Sequence, residues 1–166
     1  QVEELYGDLE ALNIATSWGS VAVQAIPGEA YGVLKGNGYV RTDGKITVGE
    51  NGLPLKSPSP IVLGNVVPDW TGGIRNTFRW RTFTLSFLFD GRKGGDIFSV
   101  TDWFGGYAGV TEETAVNDIR ENGFIVDGVY EDGSANATVV SAESYFENYW
   151  GLNEPSIIDG SFIKFR

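Results

Sequence analysis

The chain has 166 residues, with 12 basic and 22 acidic side chains and a formal net charge of −10. This acidic balance argues against nucleic acid as a partner, because the phosphate backbone is also anionic. Cysteine, histidine and methionine are absent, which excludes disulfides, thiolate nucleophiles, serine–histidine–aspartate triads and the usual zinc sites, so we expect neither an enzyme nor a bound cofactor or metal.

The composition predicts an all-β protein. The 23 glycines and the 13% of aromatic residues are typical of strands joined by many turns. No apolar run approaches the roughly 18 residues of a transmembrane helix, so any membrane contact must be made by strands.

The first part of the chain, residues 1–68, is predicted to be loop with short strands. Residues 1–12 have apolar side chains at a spacing that suits a short helix or the end of a strand. Residues 20–26 read SVAVQAI, a strand pattern that stops at the turn pair Pro27-Gly28.

A small hairpin is predicted next, between residues 37–41 and residues 45–48. Its turn is Asp43-Gly44, and Asp-Gly is a strong signal for a tight turn. Prolines then make residues 50–60 a loop, because proline removes a backbone donor and restricts φ.

The clearest pattern is the run from Asp69 to Gly95, in which apolar and polar side chains alternate along two arms. Each arm has about ten residues, the length of a tilted strand that crosses an outer membrane, and the connection at Arg81-Thr82 is short. The period of two places these side chains on the apolar face, together with Asn76: Ile74, Phe78, Trp80, Phe83, Leu85, Phe87 and Phe89. It places these on the other face: Arg75, Thr77, Arg79, Arg81, Thr84, Ser86, Leu88, Asp90 and Arg92.

Charge is divided between this hairpin and the connections. Residues 94–160 carry thirteen acidic side chains and one basic one, Arg120, whereas residues 74–93 carry five basic side chains and one acidic one, Asp90. The acidic side chains of residues 94–160 are therefore typical of a solvated surface, whereas the basic side chains are concentrated in the hairpin.

The segment after the hairpin, residues 96–160, is predicted to be a long acidic and aromatic loop. Helices are expected at Glu112–Asn122, with Thr111 as N-cap, and at Ser141–Tyr149, capped by Ser141. Alternation resumes at Ser161–Arg166, which predicts a third strand. Because the sequence does not begin with methionine and stops within this alternation, we expect it to be a piece of a longer protein.

Short motifs in a fixed order then resemble the C-terminal barrel region of the SusC/RagA-type TonB-dependent outer-membrane transporters. In chain order they read PGEAYG (27–32), GLP (52–54), PDWTGG (68–73), NTF (76–78), FTLS (83–86), GGDIFS (94–99) and DGSFIKFR (159–166). Gly160 departs from the pattern, since the family often has a small non-glycine residue there, and this departure is expected to loosen the start of the third strand.

The resemblance implies a fragment of a transmembrane antiparallel β-barrel with long extracellular loops that contain short helices. It divides the chain into an extracellular loop region (1–68), a transmembrane hairpin (69–95), a second extracellular loop (96–160) and the start of the next barrel strand (161–166). The location implied is the outer membrane of a Gram-negative bacterium, with the loops at the cell surface.

The partners implied are a SusD-like lipoprotein that acts as a lid, the remaining barrel and plug segments, outer-membrane lipid, and TonB, which acts through a plug that this chain does not contain. The imported substrate would be an oligosaccharide or a peptide. The sequence does not choose between them, because many segments outside this chain contribute to the cavity.

Three groups of candidate site residues follow from this topology. The lipid-facing side chains are Phe78, Trp80, Phe83, Leu85, Phe87 and Phe89. The lumen-facing side chains are Arg75, Arg79, Arg81 and Arg92. The side chains expected to contact substrate or partner are Trp103, Phe104, Tyr107, Tyr145, Tyr149 and Trp150.

Each group has a simpler interpretation. The loop aromatics suit stacking on sugar rings, but such residues more often pack a long loop together. The arginines suit an anionic substrate, but pairing with carboxylates is the commoner arrangement. Trp70 and Trp80 lie near strand ends and suit the aromatic girdles of a membrane interface, although Trp70 would equally fill the base of a loop.

An alternative function is a secreted, soluble, β-rich module that binds glycans through its aromatic residues. It makes a distinct structural prediction: the side chains of Phe83, Leu85, Phe87 and Phe89 should be buried against a second sheet.

Overall fold

The structure is a computed structural model that describes residues 1–16 and 21–166. The described part is mostly β, with 41% strand and 19% helix, and its sheets are antiparallel. The strands are β1 (Leu12–Thr16), β2 (Ala22–Ala25), β3 (Val33–Gly36), β4 (Arg41–Thr42), β5 (Lys45–Ile46), β6 (Ile61–Asn65), β7 (Pro68–Trp80), β8 (Phe83–Gly94), β9 (Ile97–Phe98), β10 (Phe124–Ile125), β11 (Val139–Val140), β12 (Ile157–Ile158) and β13 (Phe162–Phe165). The helices are α1 (Val100–Tyr107), α2 (Ile119–Asn122) and α3 (Ala142–Glu147), with 3-10 turns at Glu112–Thr114, Val116–Asp118, Asn148–Gly151 and Glu154–Ser156.

The long hairpin is present as predicted. Strands β7 and β8 pair from Pro68 opposite Gly94 to Trp80 opposite Phe83. Strand β13, also predicted, pairs with the other side of β8, so the order is β13-β8-β7. We refer to these three strands as the hairpin sheet.

The two faces of the hairpin sheet differ as the alternation predicts. On one face, Ile74, Phe78 and Trp80 of β7 lie opposite Phe89, Leu85 and Phe83 of β8, and Asn76 lies opposite Phe87. Strand β13 extends the same face with Phe165, opposite Phe89, and Ile163, opposite Gly91. The ring centroids of Phe89 and Phe165 are 5.1 Å apart. Most of these side chains are exposed, and no described element packs over them.

The remaining elements form a body at one end of the hairpin sheet. Its first layer is the antiparallel sheet β1-β2-β3-β6, with Val21, Ala25, Val33 and Leu34 buried. Strand β2 is shorter than predicted from residues 20–26, and Ser20 lies outside the described residues. Residues 1–11 form neither a helix nor a strand.

The small predicted hairpin is confirmed in a shorter form. Strands β4 and β5 pair around Asp43 and Gly44, whose φ angles are 51° and 81°. Two consecutive positive φ values match a type I′ turn, the turn whose twist suits a two-residue hairpin.

Residues 96–160 are folded against the first part of the chain. Asn153 is completely buried, and its Oδ1 accepts a hydrogen bond of 2.8 Å from the backbone N–H of Asn37. Its own N–H donates to the carbonyl of Asn37 at 2.8 Å. Next to this pair, Glu154 accepts from the N–H of Tyr39 and forms an ion pair with Arg41. The two regions of predicted loop are therefore one packed unit.

The helix predictions for this region were partly wrong. The helix expected at Glu112–Asn122 is broken, because Asn117 and Asp118 have φ angles of 54° and 55°, and Thr111 makes no side-chain cap bond. Ser141 does cap α3, accepting a hydrogen bond of 3.1 Å from the N–H of Ser144. Helix α1 was not predicted, because its glycine pair indicates a break.

The glycines in α1 are required by packing. A Cβ at Gly106 would lie 2.8 Å from ring carbons of Tyr149, and one at Gly105 would lie 2.8 Å from Thr111. Ser99 caps this helix by accepting from the N–H of Asp102 at 3.2 Å. A serine three residues before an acidic residue is a sequence signal for the start of a helix, but the glycine pair within the helix argues against one.

Gly160 has the opposite effect from the one expected. A Cβ there would collide with the carbonyl oxygen of Gly95, so glycine permits a close backbone crossing between the hairpin sheet and the body. Ser161 then donates its N–H to Asp159 at 2.9 Å and accepts from the N–H of Gly94 at 2.8 Å. The start of β13 is held rather than loosened.

The two candidate N-caps provide a matched test. Ser141→Ala removes the cap of α3 and should lower the free energy of unfolding by about 1 kcal/mol, whereas Thr111→Val, which keeps the methyl group beside Gly105 and removes a hydroxyl that caps nothing, should have little effect. Urea unfolding of both variants measures the difference. Equal losses would contradict the capping assignment.

Candidate functional site

The aromatic side chains of residues 96–160 form a cluster around Trp103. This ring is only 2% exposed, and its indole N–H donates to the carbonyl oxygens of Tyr149 at 2.6 Å and Leu152 at 2.9 Å. A buried indole with its donor satisfied is a packing residue. Trp103 therefore belongs to the core of the body.

Trp150 lies on the outer side of this core. Its ring stacks on Trp103 with a centroid distance of 5.1 Å and an interplanar angle of 20°, yet Trp150 is 56% exposed. Tyr107 and Phe104 flank it at 5.2 Å and 6.0 Å and are also partly exposed. We call Phe104, Tyr107 and Trp150 the aromatic platform.

The platform has the geometry of a stacking site. Because Trp103 supports the inner face of Trp150, the indole is held in one orientation, and the cost of ordering a flexible side chain on binding is reduced. A flat aromatic surface of this kind packs well against the C–H face of a pyranose or against another aromatic ring. It suits a ligand or a partner protein equally.

Tyr145 and Tyr149 belong to the interior. Tyr149 is buried, and Tyr145 packs against Phe124 and Phe146 at 5.0 Å and 5.1 Å, which links two apolar clusters. Burial raises the pKa of both phenols, with smaller contributions from neighbouring ionisable groups that include Glu113. Both hydroxyls therefore remain neutral near pH 7.

Tyr39 joins these tyrosines, although no local sequence pattern marks it as a site residue. Burial raises its pKa strongly, and the neighbouring Tyr145, Tyr149 and Glu154 raise it further. It comes from the first part of the chain, so only the tertiary structure brings it to the cluster. Its position connects the aromatic core to the ion pair between Glu154 and Arg41.

A cleft of about 490 Å³ opens beside the platform. It is lined by Tyr107, Phe146, Arg120 and the carboxyl-bearing side chains of Glu143 and Glu147. The Arg120 guanidinium donates to the carbonyls of Gly109 at 2.5 Å and Thr114 at 2.9 Å and is thereby fixed in place. The cleft combines aromatic and acidic surface, which suits a ligand with hydroxyl or amine groups.

The four predicted lumen arginines have different environments. Arg75 and Arg79 lie opposite Leu88 and Thr84 on the polar face and are exposed. Arg81 lies in the turn, where its guanidinium carbon is 5.4 Å from the ring centroid of Trp80.

Arg92 forms hydrogen bonds where the hairpin sheet meets the body. Its guanidinium donates to the carbonyls of Gly94 and Gly95, each at 3.1 Å, and to that of Val66 at 3.4 Å. This arginine therefore stabilises the backbone crossing and is not available to a substrate. No carboxylate pairs with these four arginines within the described residues; the ion pair of this sheet joins Asp90 to Arg166 at 3.5 Å.

The six predicted lipid-facing side chains share one face, which Trp70 extends at the body end. Trp70 lies at the body end, where its ring would be 3.3 Å from a Cβ at Gly91, a residue of the same face. Trp80 lies at the turn end. The apolar side chains thus lie between two tryptophans, and the alternative position of Trp70 at a loop base is not adopted.

Two searches within residues 1–16 and 21–166 found nothing: no group of three or more acidic side chains is arranged to hold a metal ion, and no helix has the length and apolar character to cross a membrane. Comparison of the chain with protein-family models and with curated proteins gave no match.

Trp103 and Trp150 are a matched pair for mutagenesis. Trp103→Ala should lower the free energy of unfolding by about 3–5 kcal/mol, because it opens a cavity and removes the indole donor from the carbonyl of Leu152. Trp150→Ala should cost about 1 kcal/mol or less, because more than half of that side chain is already in solvent. Denaturant unfolding compares them, and equal losses would contradict the distinction between core and platform.

Proposed function

We propose that the chain is part of a SusC/RagA-type, TonB-dependent outer-membrane importer of glycans or peptides that works with a SusD-like surface lipoprotein. The observation that carries the proposal is the continuous, uncovered apolar face of the hairpin sheet. An apolar surface of ten large side chains, on the order of 1,000 Å², is unfavourable in water and is typical of a membrane or partner interface.

The dimensions of this face support a bilayer as the surrounding medium. Trp70 and Trp80 are ten residues apart, which corresponds to about 33 Å along a strand. If the strand is tilted by about 40° from the membrane normal, the two tryptophans are about 25 Å apart along that normal. This distance matches the thickness of the apolar band of outer-membrane barrels, whose borders carry aromatic girdles.

The opposite face and the edges of the sheet agree with a barrel wall. The opposite face carries Arg75, Thr77 and Arg79, polar groups that suit a water-filled lumen. Among the described residues, β7 has a partner strand on one side only. A thirteen-residue apolar edge strand invites aggregation unless further strands pair with it, and closure into a barrel removes such edges.

The body takes the role of the extracellular loops in this proposal. It is attached to the ends of β7, β8 and β13 that lie farthest from the turn, and it carries most of the acidic side chains. The aromatic platform is the part of the body that we assign to contact with the substrate or with the lid. Trp103, Tyr145 and Tyr149 hold the platform in position.

The secreted glycan-binding module is the second candidate, and the platform is the observation in its favour. It requires the side chains of Phe83, Leu85, Phe87 and Phe89 to be covered by a second sheet. Within the described residues Phe83, Leu85 and Phe89 are exposed and Phe87 is half-buried among neighbours of its own sheet. This observation favours the importer.

The encoding gene provides the direct test. If the chain belongs to an importer, the reading frame should continue after Arg166 with further alternating strands of about ten residues, and a plug should be encoded before Gln1. Sequencing outward from this segment measures both. A stop codon directly after Arg166 would contradict the proposal.

A pair of substitutions tests the orientation of the hairpin sheet. Phe87 lies near the middle of the apolar face, so Phe87→Arg should cost about 2–4 kcal/mol against lipid. Ser86→Arg, on the opposite face, loses only its exposed hydrogen bond with Thr77 and should be mild. Urea unfolding in phospholipid vesicles measures both variants, and equal destabilisation would rule out a lipid-facing Phe87.

A further inference from the structure

The turn of the hairpin sheet contains a residue in an unfavourable backbone conformation. Arg81 has a φ angle of 54°, a left-handed value that glycine and asparagine adopt more easily than arginine. In a two-residue turn either of those residues would therefore be the more stable choice. A strained residue of this kind directs attention to what its side chain does.

The side chain of Arg81 stacks on an exposed tryptophan. Its guanidinium carbon is 5.4 Å from the ring centroid of Trp80, within the range of a cation–π contact. Trp80 is opposite Phe83, and the two are 69% and 72% exposed. The tip of the sheet thus combines two aromatic rings with a fixed positive charge.

This charge is uncompensated. Arg81 makes no ion pair with any residue that the structure describes, and the surrounding hairpin carries an excess of basic side chains on a chain whose net charge is −10. The body, whose residues 96–160 alone carry thirteen acidic side chains, is at the other end of the sheet. An anionic ligand is therefore attracted to the tip and repelled from the body.

We infer that the tip of the hairpin sheet binds the phosphate of an anionic phospholipid headgroup through the Arg81 guanidinium, with Trp80 and Phe83 in the bilayer beneath it. A guanidinium binds phosphate with two parallel hydrogen bonds, and an indole prefers the depth of the headgroups. A bilayer can bind both the guanidinium and the aromatic rings, because its phosphates lie directly above an apolar layer.

This inference rests on the proposed function, since only a sheet that crosses the membrane brings the tip to the headgroups. The test uses the full chain, refolded by dilution from urea into vesicles of phosphatidylcholine alone or with about 30 mol % phosphatidylglycerol. Flotation measures the fraction of protein bound. The variants are Arg81→Asn, chosen because asparagine tolerates a positive φ, and Arg75→Gln, which removes one positive charge from the polar face of β7.

The wild-type chain should bind both vesicles, and the anionic ones more tightly. Arg81→Asn should reduce binding to the phosphatidylglycerol vesicles by roughly five-fold and binding to pure phosphatidylcholine by less, because choline offsets the charge of the phosphate there. Its urea midpoint should be equal or higher because the turn is relieved of strain. Arg75→Gln should reduce binding to the anionic vesicles much less.

Three other results would contradict the inference, and they can be told apart. Equal losses for Arg81→Asn and Arg75→Gln would show that only net charge matters and would overturn the headgroup site. Unchanged binding by Arg81→Asn would overturn it as well, while the membrane assignment of the sheet would stand. If the wild-type chain floats with neither type of vesicle, the membrane assignment fails and the headgroup site fails with it.

Discussion

The register of strands β7 and β8 determines which side chains share each face of the hairpin sheet. Because side chains alternate with a period of two, the pairing of Trp80 with Phe83 places the phenylalanines and tryptophans of the two arms on one face, whereas Leu88 lies on the other face, opposite Arg75. A shift of one residue in either strand would mix phenylalanines with arginines on both faces. The two-residue turn prevents that shift, and for this reason a strained residue in the turn affects the whole sheet.

The body has a different source of order. Its apolar clusters are small, and it is held by polar contacts between distant segments, chiefly the buried Asn153 with Asn37 and the indole of Trp103 with the backbone of Tyr149 and Leu152. Buried hydrogen bonds of this kind are costly to break, since a lost partner leaves a polar group without water. They fix the orientation of Trp150, which is what a recognition surface requires.

Local patterns accounted for the hairpin sheet and for two turns, because alternation, Asp-Gly and a serine cap act within a few residues. They failed where packing overrides local preference. Helix α1 contains Gly105 and Gly106, which indicate a break but instead make room for Thr111 and Tyr149. The helix expected from Glu112 is interrupted at Asn117 and Asp118. All six loop aromatics were selected together, yet three serve the interior.

Residue type and spacing alone predict the hairpin sheet, its two faces and the separation of its basic side chains from the acidic side chains of the body. Only the tertiary structure decided that Trp103 is core while Trp150 is accessible, that Arg92 is occupied by backbone carbonyls, and that Gly160 is a close crossing. These outcomes depend on segments far apart in the chain, and a side chain of one type is buried or free according to what long-range packing places beside it.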